Sequence, residues 1–405
     1  MNEVLLLVGL LVLSYLGSVV AAGFLAGESR AKGTIELVVL GFVVGPQALD
    51  LVDRSMLDAF DPVVHVAIGW LAFAVGLDFG QAGGKRIRAG GLVLGALGVL
   101  FTGTLVAAGV WAVAWHANFR GTFTDRLLLA GGIGAACAQT ARYSVPRITS
   151  TPGTRDALAA RLDAVVQADE LFPLLAIAIL FALDPTTGVG MPAPLVDWPA
   201  ITIALGLLLG AGVAIRMRSD LPEEDTWAVL FGVSLIGIGT SARLGLSTLT
   251  ASFCMGVAVS LLSPDRYKLR QMVAPTERPV LLPAMLIAGA RLDFHATPAL
   301  PWIVFAAVAA RILAKVAFGG VLAFAWTPAR TAGALVGLSL LPPGVLAMSI
   351  GLAFALRFPG PVGNTVLVAT AVAAAVGDFA DPGRFRRLFQ TGAGGDTAAS
   401  RGAAA

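Results

Sequence analysis

Apolar runs separated by short polar or Pro/Gly-rich breaks fill this chain almost from end to end. A helix that crosses a bilayer needs roughly 20 mostly apolar residues. Read between the breaks, the runs are 4–25, 33–49, 62–80, 91–115, 124–149, 155–184, 197–215, 226–242, 246–262, 278–292, 299–326, 330–356 and 360–380. We refer to them as spans 1 to 13. No stretch is left for a soluble domain, and the Gly/Ala/Ser-rich segment 391–405 reads as a disordered tail. The pattern predicts an all-α polytopic membrane protein.

Composition agrees. The chain is 57% hydrophobic and 13% charged, with a mean hydropathy of +0.83. Soluble domains carry about 25% charge, so a cytosolic enzyme or a nucleic-acid binder is excluded. The net charge of +3 speaks of topology, because the basic residues are unevenly placed. Connections after odd-numbered spans hold twenty Lys and Arg, from Arg30 and Lys32 to Arg384, Arg386, Arg387 and Arg401. Connections after even-numbered spans hold six: Arg54, Arg120, Arg126, Arg243, Arg291 and Arg357. Cytoplasmic loops are the basic ones. The N-terminus is therefore expected outside, the C-terminus in the cytoplasm, and the chain in the cell (inner) membrane. Trp115, Trp198 and Trp302 fall at outer span ends and Trp227 and Trp326 at inner ends, as in an interfacial aromatic belt. Cys137 and Cys254 lie in apolar runs and suggest no disulfide framework. Residues 4–25 are too long for a signal-peptide core and lack a basic flank, so no cleavable signal is expected.

Span 3 ends Leu71-Ala-Phe-Ala-Val-Gly-Leu-Asp-Phe79, and span 10 ends Leu286-Ile-Ala-Gly-Ala-Arg-Leu-Asp-Phe294. Span 2 contains Gly41-Phe-Val-Val-Gly45, and span 9 contains Ser252-Phe-Cys-Met-Gly256. Both matches are offset by seven spans, an odd number, so the repeat is inverted. The halves would be 1–184 and 221–385, with 185–220 (span 7) a linker and 386–405 a tail. Inverted repeats are typical of secondary transporters, whose sites lie near the midplane at broken helices. Spans 5 and 12, again seven apart, carry the interruptions. Pro342-Pro343-Gly344 removes two backbone donors in mid-span. Gly131, Gly132 and Gly134 precede Gln139-Thr140 in span 5, where tight helix packing is an equal reading.

Few ionisable residues lie inside the runs. Asp169 and Glu170 sit about 20 Å along span 6 at 1.5 Å per residue, and Lys315 lies at a similar depth in span 11 from the other face. Arg311 is one turn before Lys315 on the same face, and Arg142 follows Thr140 by two residues. Charges at the midplane are costly unless paired or hydrated. Two carboxylates and a lysine at matched depth read as a site where a proton and a small hard cation compete for one carboxylate. A purely structural ion pair is the other reading. Adjacent Asp and Glu point about 100° apart on a helix, so at most one of them shares the face of Lys315 fully. Asp163 reads as a solvated helix end. Asp78 and Asp293 read as capping or hydrating helix ends at the outer face. His65, His116 and His295 read as surface histidines near that face.

These residues together resemble the sodium/proton exchanger domain of monovalent cation:proton antiporters, in the Kef-like and Nap-like branch, over residues 5–380. Gly41-Phe-Val-Val-Gly-Pro46, Leu71 to Asp78, Thr140, Asp169-Glu170-Leu-Phe-Pro-Leu174, Lys315 and Gly337 to Gly344 are similar to the family's motifs, in the family's order. The resemblance implies an elevator, in which spans 4–6 and 11–13 carry the ion past a scaffold of spans 1–3 and 8–10. It implies a homodimer through the scaffold, transported H⁺ and Na⁺ or K⁺, and no cofactor. With no nucleotide-binding module after the last span, no NAD or ATP site is expected. Thr140, Asp169 and Glu170 would be cation ligands, with Lys315, Arg311 and Arg142 as associated cations. The chain departs from the family at Thr140-Ala-Arg142, where Thr-Ser-Pro or Thr-Asp-Pro is usual, and at Pro342-Pro-Gly-Val345, where Pro-Arg-Gly-Glu is usual. The same scaffold carrying an organic or anionic solute, or a non-transporting subunit or sensor, are the alternatives the residues leave open.

Overall fold

The computed structural model describes residues 33–79, 81–82, 85–86, 89–117, 119–141, 155–183, 197–218, 222–263, 266–325, 337–338 and 340–380, with positions 9, 12 and 15 besides. Span 1 is otherwise outside the described residues, as is the tail. Among the described residues the helices are α1 (Gly33–Val44), α2 (Arg54–Ala59), α3 (Asp61–Asp78), α4 (Ala89–His116), α5 (Phe123–Ala138), α6 (Arg155–Ala182), α7 (Asp197–Arg216), α8 (Glu223–Arg243), α9 (Thr248–Leu262), α10 (Arg266–Ala290), α11 (Leu300–Ala325), α12 (Val345–Arg357) and α13 (Pro361–Phe379). Span 2 is α1, and spans 3 to 13 are α3 to α13. Gln81–Ala82 and Lys85–Arg86 form one small antiparallel pairing after α3.

Seven of these helices are long and apolar enough to cross a membrane. The local signals are ordinary ones. Thr122 and Asp125 form a capping box at the start of α5, and Ser247 caps α9. Asp53 caps α2, a short helix that hydropathy did not announce. Helix α10 begins twelve residues before span 10, because its first three turns are polar and proline-bearing and carry no apolar signal.

Packing sorts the helices into two groups. In the first, α9 lies against α3, α7 and α8, and α10 lies against α1 and α3. In the second, α4 lies against α5, α6 and α11, while α13 lies against α5, α11 and α12. Span 7, expected as a linker, packs within the first group. The groups meet where α6 touches α7 and α9, where α3 touches α12 and where α1 touches α13.

The repeat is visible in the first group. Since span 2 corresponds to span 9 and span 3 to span 10, the α1–α10 contact is the counterpart of the α9–α3 contact. Both are backbone-close crossings. A side-chain carbon at Gly41 or Gly289 would strike the carbonyl of Leu286 or Val38, and one at Gly76 or Gly256 the carbonyl of Phe253 or Phe73. Small residues let apolar helices gain dispersion contact where no hydrophobic effect drives them together. The ends are paired the same way. Arg54 meets Asp293 at 3.1 Å, and Arg270 meets Asp78 at 2.5 Å. Asp78 thus sits beside the start of α10 and Asp293 just past its end, and 25 residues of helix separate the ends by about 37 Å. The two aspartates are on opposite faces, not both on the outer one, as an inverted repeat requires.

A candidate ion site where two interrupted helices cross

Helix α5 stops at Ala138, and Gln139 is extended (φ −70°, ψ 146°). At 16 residues α5 is about 24 Å long, short of a ~30 Å hydrocarbon core. Helix α12 starts at Val345 behind an extended Gly344 (φ −78°, ψ 173°). Between these ends two extended passages run past each other, and the Ala141 N–H donates to the Pro342 carbonyl at 2.8 Å. Pro342 and Pro343 have no N–H to continue a helix with.

A helix that ends inside a protein leaves carbonyls without donors and a partial negative charge. Helix α11 answers both needs with two cations one turn apart. Arg311 donates to the Cys137 carbonyl, to Gln139 O at 2.9 Å and to Leu341 O at 2.6 Å. It therefore holds both passages at once. Lys315 Nζ donates to Ala138 O at 2.7 Å, Thr140 Oγ1 at 2.7 Å and Asp169 Oδ2 at 3.0 Å, which uses all three of its N–H bonds. Thr140 Oγ1 accepts from Lys315 and donates its own hydrogen bond to Asp169 Oδ2.

Asp169 and Lys315 are each 1% exposed and Glu170 is 5% exposed, so these charges are inside the protein and not at a wetted helix end. Among the described residues, two buried oxygens near the crossing have no hydrogen-bond partner, Asp169 Oδ1 and Gln139 Oε1. Pro173 lies inside α6 one turn after Asp169 and cannot donate to the Asp169 main-chain carbonyl. Two unbonded side-chain oxygens, and a carbonyl without its i+4 donor, thus accompany a fixed cation.

The structure brings Thr140, Asp169 and Lys315 into one hydrogen-bonded cluster, with Glu170 buried beside it. Arg311 lies next to the cluster, but its bonds named above go to main-chain carbonyls. Arg142 and the side chain of Asp163 are outside the described residues. Gln139, Pro173 and the carbonyls of 137–139 were missed by sequence reasoning. Pro173 had a legible signal in its four-residue spacing from Asp169. The carbonyls had none, because a side chain aimed at backbone leaves no motif. Three further bonds cross between the helix groups. Thr250 of α9 donates to Leu174 O of α6 at 2.6 Å. Asn364 of α13 accepts from the Asp293 N–H at 3.1 Å and donates to the Asp293 carbonyl.

Two solved structures have the same fold. One is the sodium proton antiporter MjNhaP1 from Methanocaldococcus jannaschii at pH 8, with a TM-score of 0.63 and 15% identity over 94% of this chain and 98% of that one. The other is an electron-microscopy map of the same antiporter, with a TM-score of 0.60 and 16% identity over 93% and 94% of the two chains. No family model and no curated protein matches the sequence. The chain has the sodium/proton antiporter fold.

Proposed function

We propose that this protein is a secondary active transporter that exchanges a monovalent cation, Na⁺ or K⁺, for protons. The observation that carries the reading is Asp169. One of its oxygens is held by Thr140 and Lys315, while the other is buried with no hydrogen-bond partner among the described residues. With no ion bound, Lys315 neutralises the carboxylate. A dehydrated cation would take the spare carboxylate oxygen together with nearby carbonyl and hydroxyl oxygens. A proton on Asp169 or Glu170 removes the charge that attracts the cation, so each ligand displaces the other. The group α4–α6 and α11–α13 carries the site, and the group α1, α3 and α7–α10 is the scaffold past which it moves. The scaffold pairs with that of a second copy. The chain sits in the cell membrane with its N-terminus outside, and the exchange needs no cofactor.

The test is proton flux in proteoliposomes, followed with a pH dye while Na⁺, K⁺ and Li⁺ are added in turn. Asp169→Asn and Glu170→Gln should differ. One abolishes exchange, because an amide cannot take up and release the proton, and the other shifts apparent affinity or pH optimum. Full wild-type exchange in both variants sinks the mechanism.

A further inference from the structure

Helix α10 carries prolines at positions 275, 279 and 283, one every four residues. A proline lacks the N–H that would bond the carbonyl four residues back. The carbonyls of Gln271, Pro275 and Pro279 therefore lose their intrahelical donors and lie one above the next. This ladder is on the outside of the protein. Gln271, Ala274, Pro275, Arg278 and Pro279 are all exposed, and their spacing puts them on one helix face. The ladder also straddles a boundary. The apolar run of span 10 begins at residue 278, the preceding turns are polar, and Tyr267, 72% exposed, continues the same face outward. Exposed aromatic residues of this kind mark the headgroup level of a bilayer.

Carbonyls left without their i+4 donors at that level can take donors that lipid tails cannot give. The local cations are not equally available. Lys268 pairs with Glu223 at 3.5 Å, and Arg270 is held by Asp78 and Glu277. Arg278, exposed beside the ladder, has no ion-pair partner among the described residues. The face thus offers one cation for an anion and, about one helical turn (~5.4 Å) outward, a row of acceptors for N–H donors.

We propose that this face is a binding site for a phospholipid with a primary ammonium headgroup, such as phosphatidylethanolamine. The phosphate bonds Arg278, and the ammonium donates to the carbonyls of Pro275 and Gln271. The proposal does not depend on what the protein transports. It is tested by titrating the purified full chain in detergent with phosphatidylethanolamine, its mono- and dimethylated forms, and phosphatidylcholine. The series keeps the phosphate and removes the N–H donors one by one. The apparent unfolding temperature should rise by several degrees with the first lipid, rise less with each methyl group, and rise least with the last, which keeps only the phosphate contact. Pro279→Ala returns an N–H to the Pro275 carbonyl, so it should raise the lipid-free unfolding temperature and shrink the difference between the first and last lipids. Arg278→Gln should lower the gain from every lipid in the series. Equal gains from phosphatidylethanolamine and phosphatidylcholine, including no gain from either, overturn the proposal. So does undiminished headgroup discrimination in a Pro275→Ala/Pro279→Ala variant.

Discussion

Helices α1, α3, α9 and α10 on one side, and α5, α6, α11 and α12 on the other, are built from similar apolar residues but place polarity in opposite ways. The first set brings backbones together at Gly41, Gly76, Gly256 and Gly289 and keeps its ion pairs at the helix ends. The second set interrupts two helices in mid-course and fills the gap with Arg311, Lys315 and Asp169. A glycine crossing has one good arrangement, because neither backbone can retreat without losing contact along its length. A crossing held by side-chain cations has donors that can be re-aimed. The difference separates a frame from a part able to respond to an ion.

Five substitutions probe that contrast. The largest effect is expected from Lys315→Ala, which leaves Asp169 buried without its counter-charge, a loss of about 3–5 kcal/mol for a buried pair. Proton flux should vanish, and thermal unfolding in detergent should shift strongly downward. Loss of stability with flux intact would make the pair structural only. Gly256→Val forces a side chain against the Phe73 carbonyl, and overpacking of this kind costs about 1–3 kcal/mol or more. Its flux per folded molecule should stay near wild type, because the damage is to the frame. A changed cation preference at normal stability would contradict that division.

Asn364→Ala removes two hydrogen bonds between the groups, each worth about 0.5–1.5 kcal/mol. Stability should fall modestly while the rate of exchange changes, since the bonds join the surfaces that must part. Unchanged kinetics would place Asn364 outside the moving seam. The smallest effects belong to the end pairs. Arg54 is 72% exposed and should give at most about 1 kcal/mol when changed to Ala. Arg270, 28% exposed and held by two carboxylates, should cost more. Equal unfolding shifts for the two variants would mean that the repeat-related pairs are energetically alike despite their different burial.

Much of this arrangement was legible in the sequence. Run lengths located spans 2 to 13, and Pro342-Pro343-Gly344 located one interruption, because proline acts through local covalent structure. The other interruption was legible only in outline. Nothing at Ala138 itself breaks a helix, and the chain leaves helical form there while Arg311 and Lys315, over 170 positions away, take the carbonyls. Depth counting matched Asp169 and Glu170 to Lys315, but adjacent residues share a depth, so only packing chose Asp169. The reciprocal end pairs were missed because Arg54 and Arg270 read as ordinary loop charges until the inverted repeat is folded.

The glycine crossings also bear on how the chain is made. Helix α1 has its close partner in α10, and α3 has a close partner in α9, so each half of the sequence supplies the other's contact surface. Arg54 and Asp293, which meet across one such crossing, are 239 positions apart. During synthesis the early helices enter the bilayer with their small-residue faces uncovered and wait there for most of the remaining translation. Neither half produced alone would acquire those faces' partners, whereas the two produced together as separate chains would have everything needed to interlock.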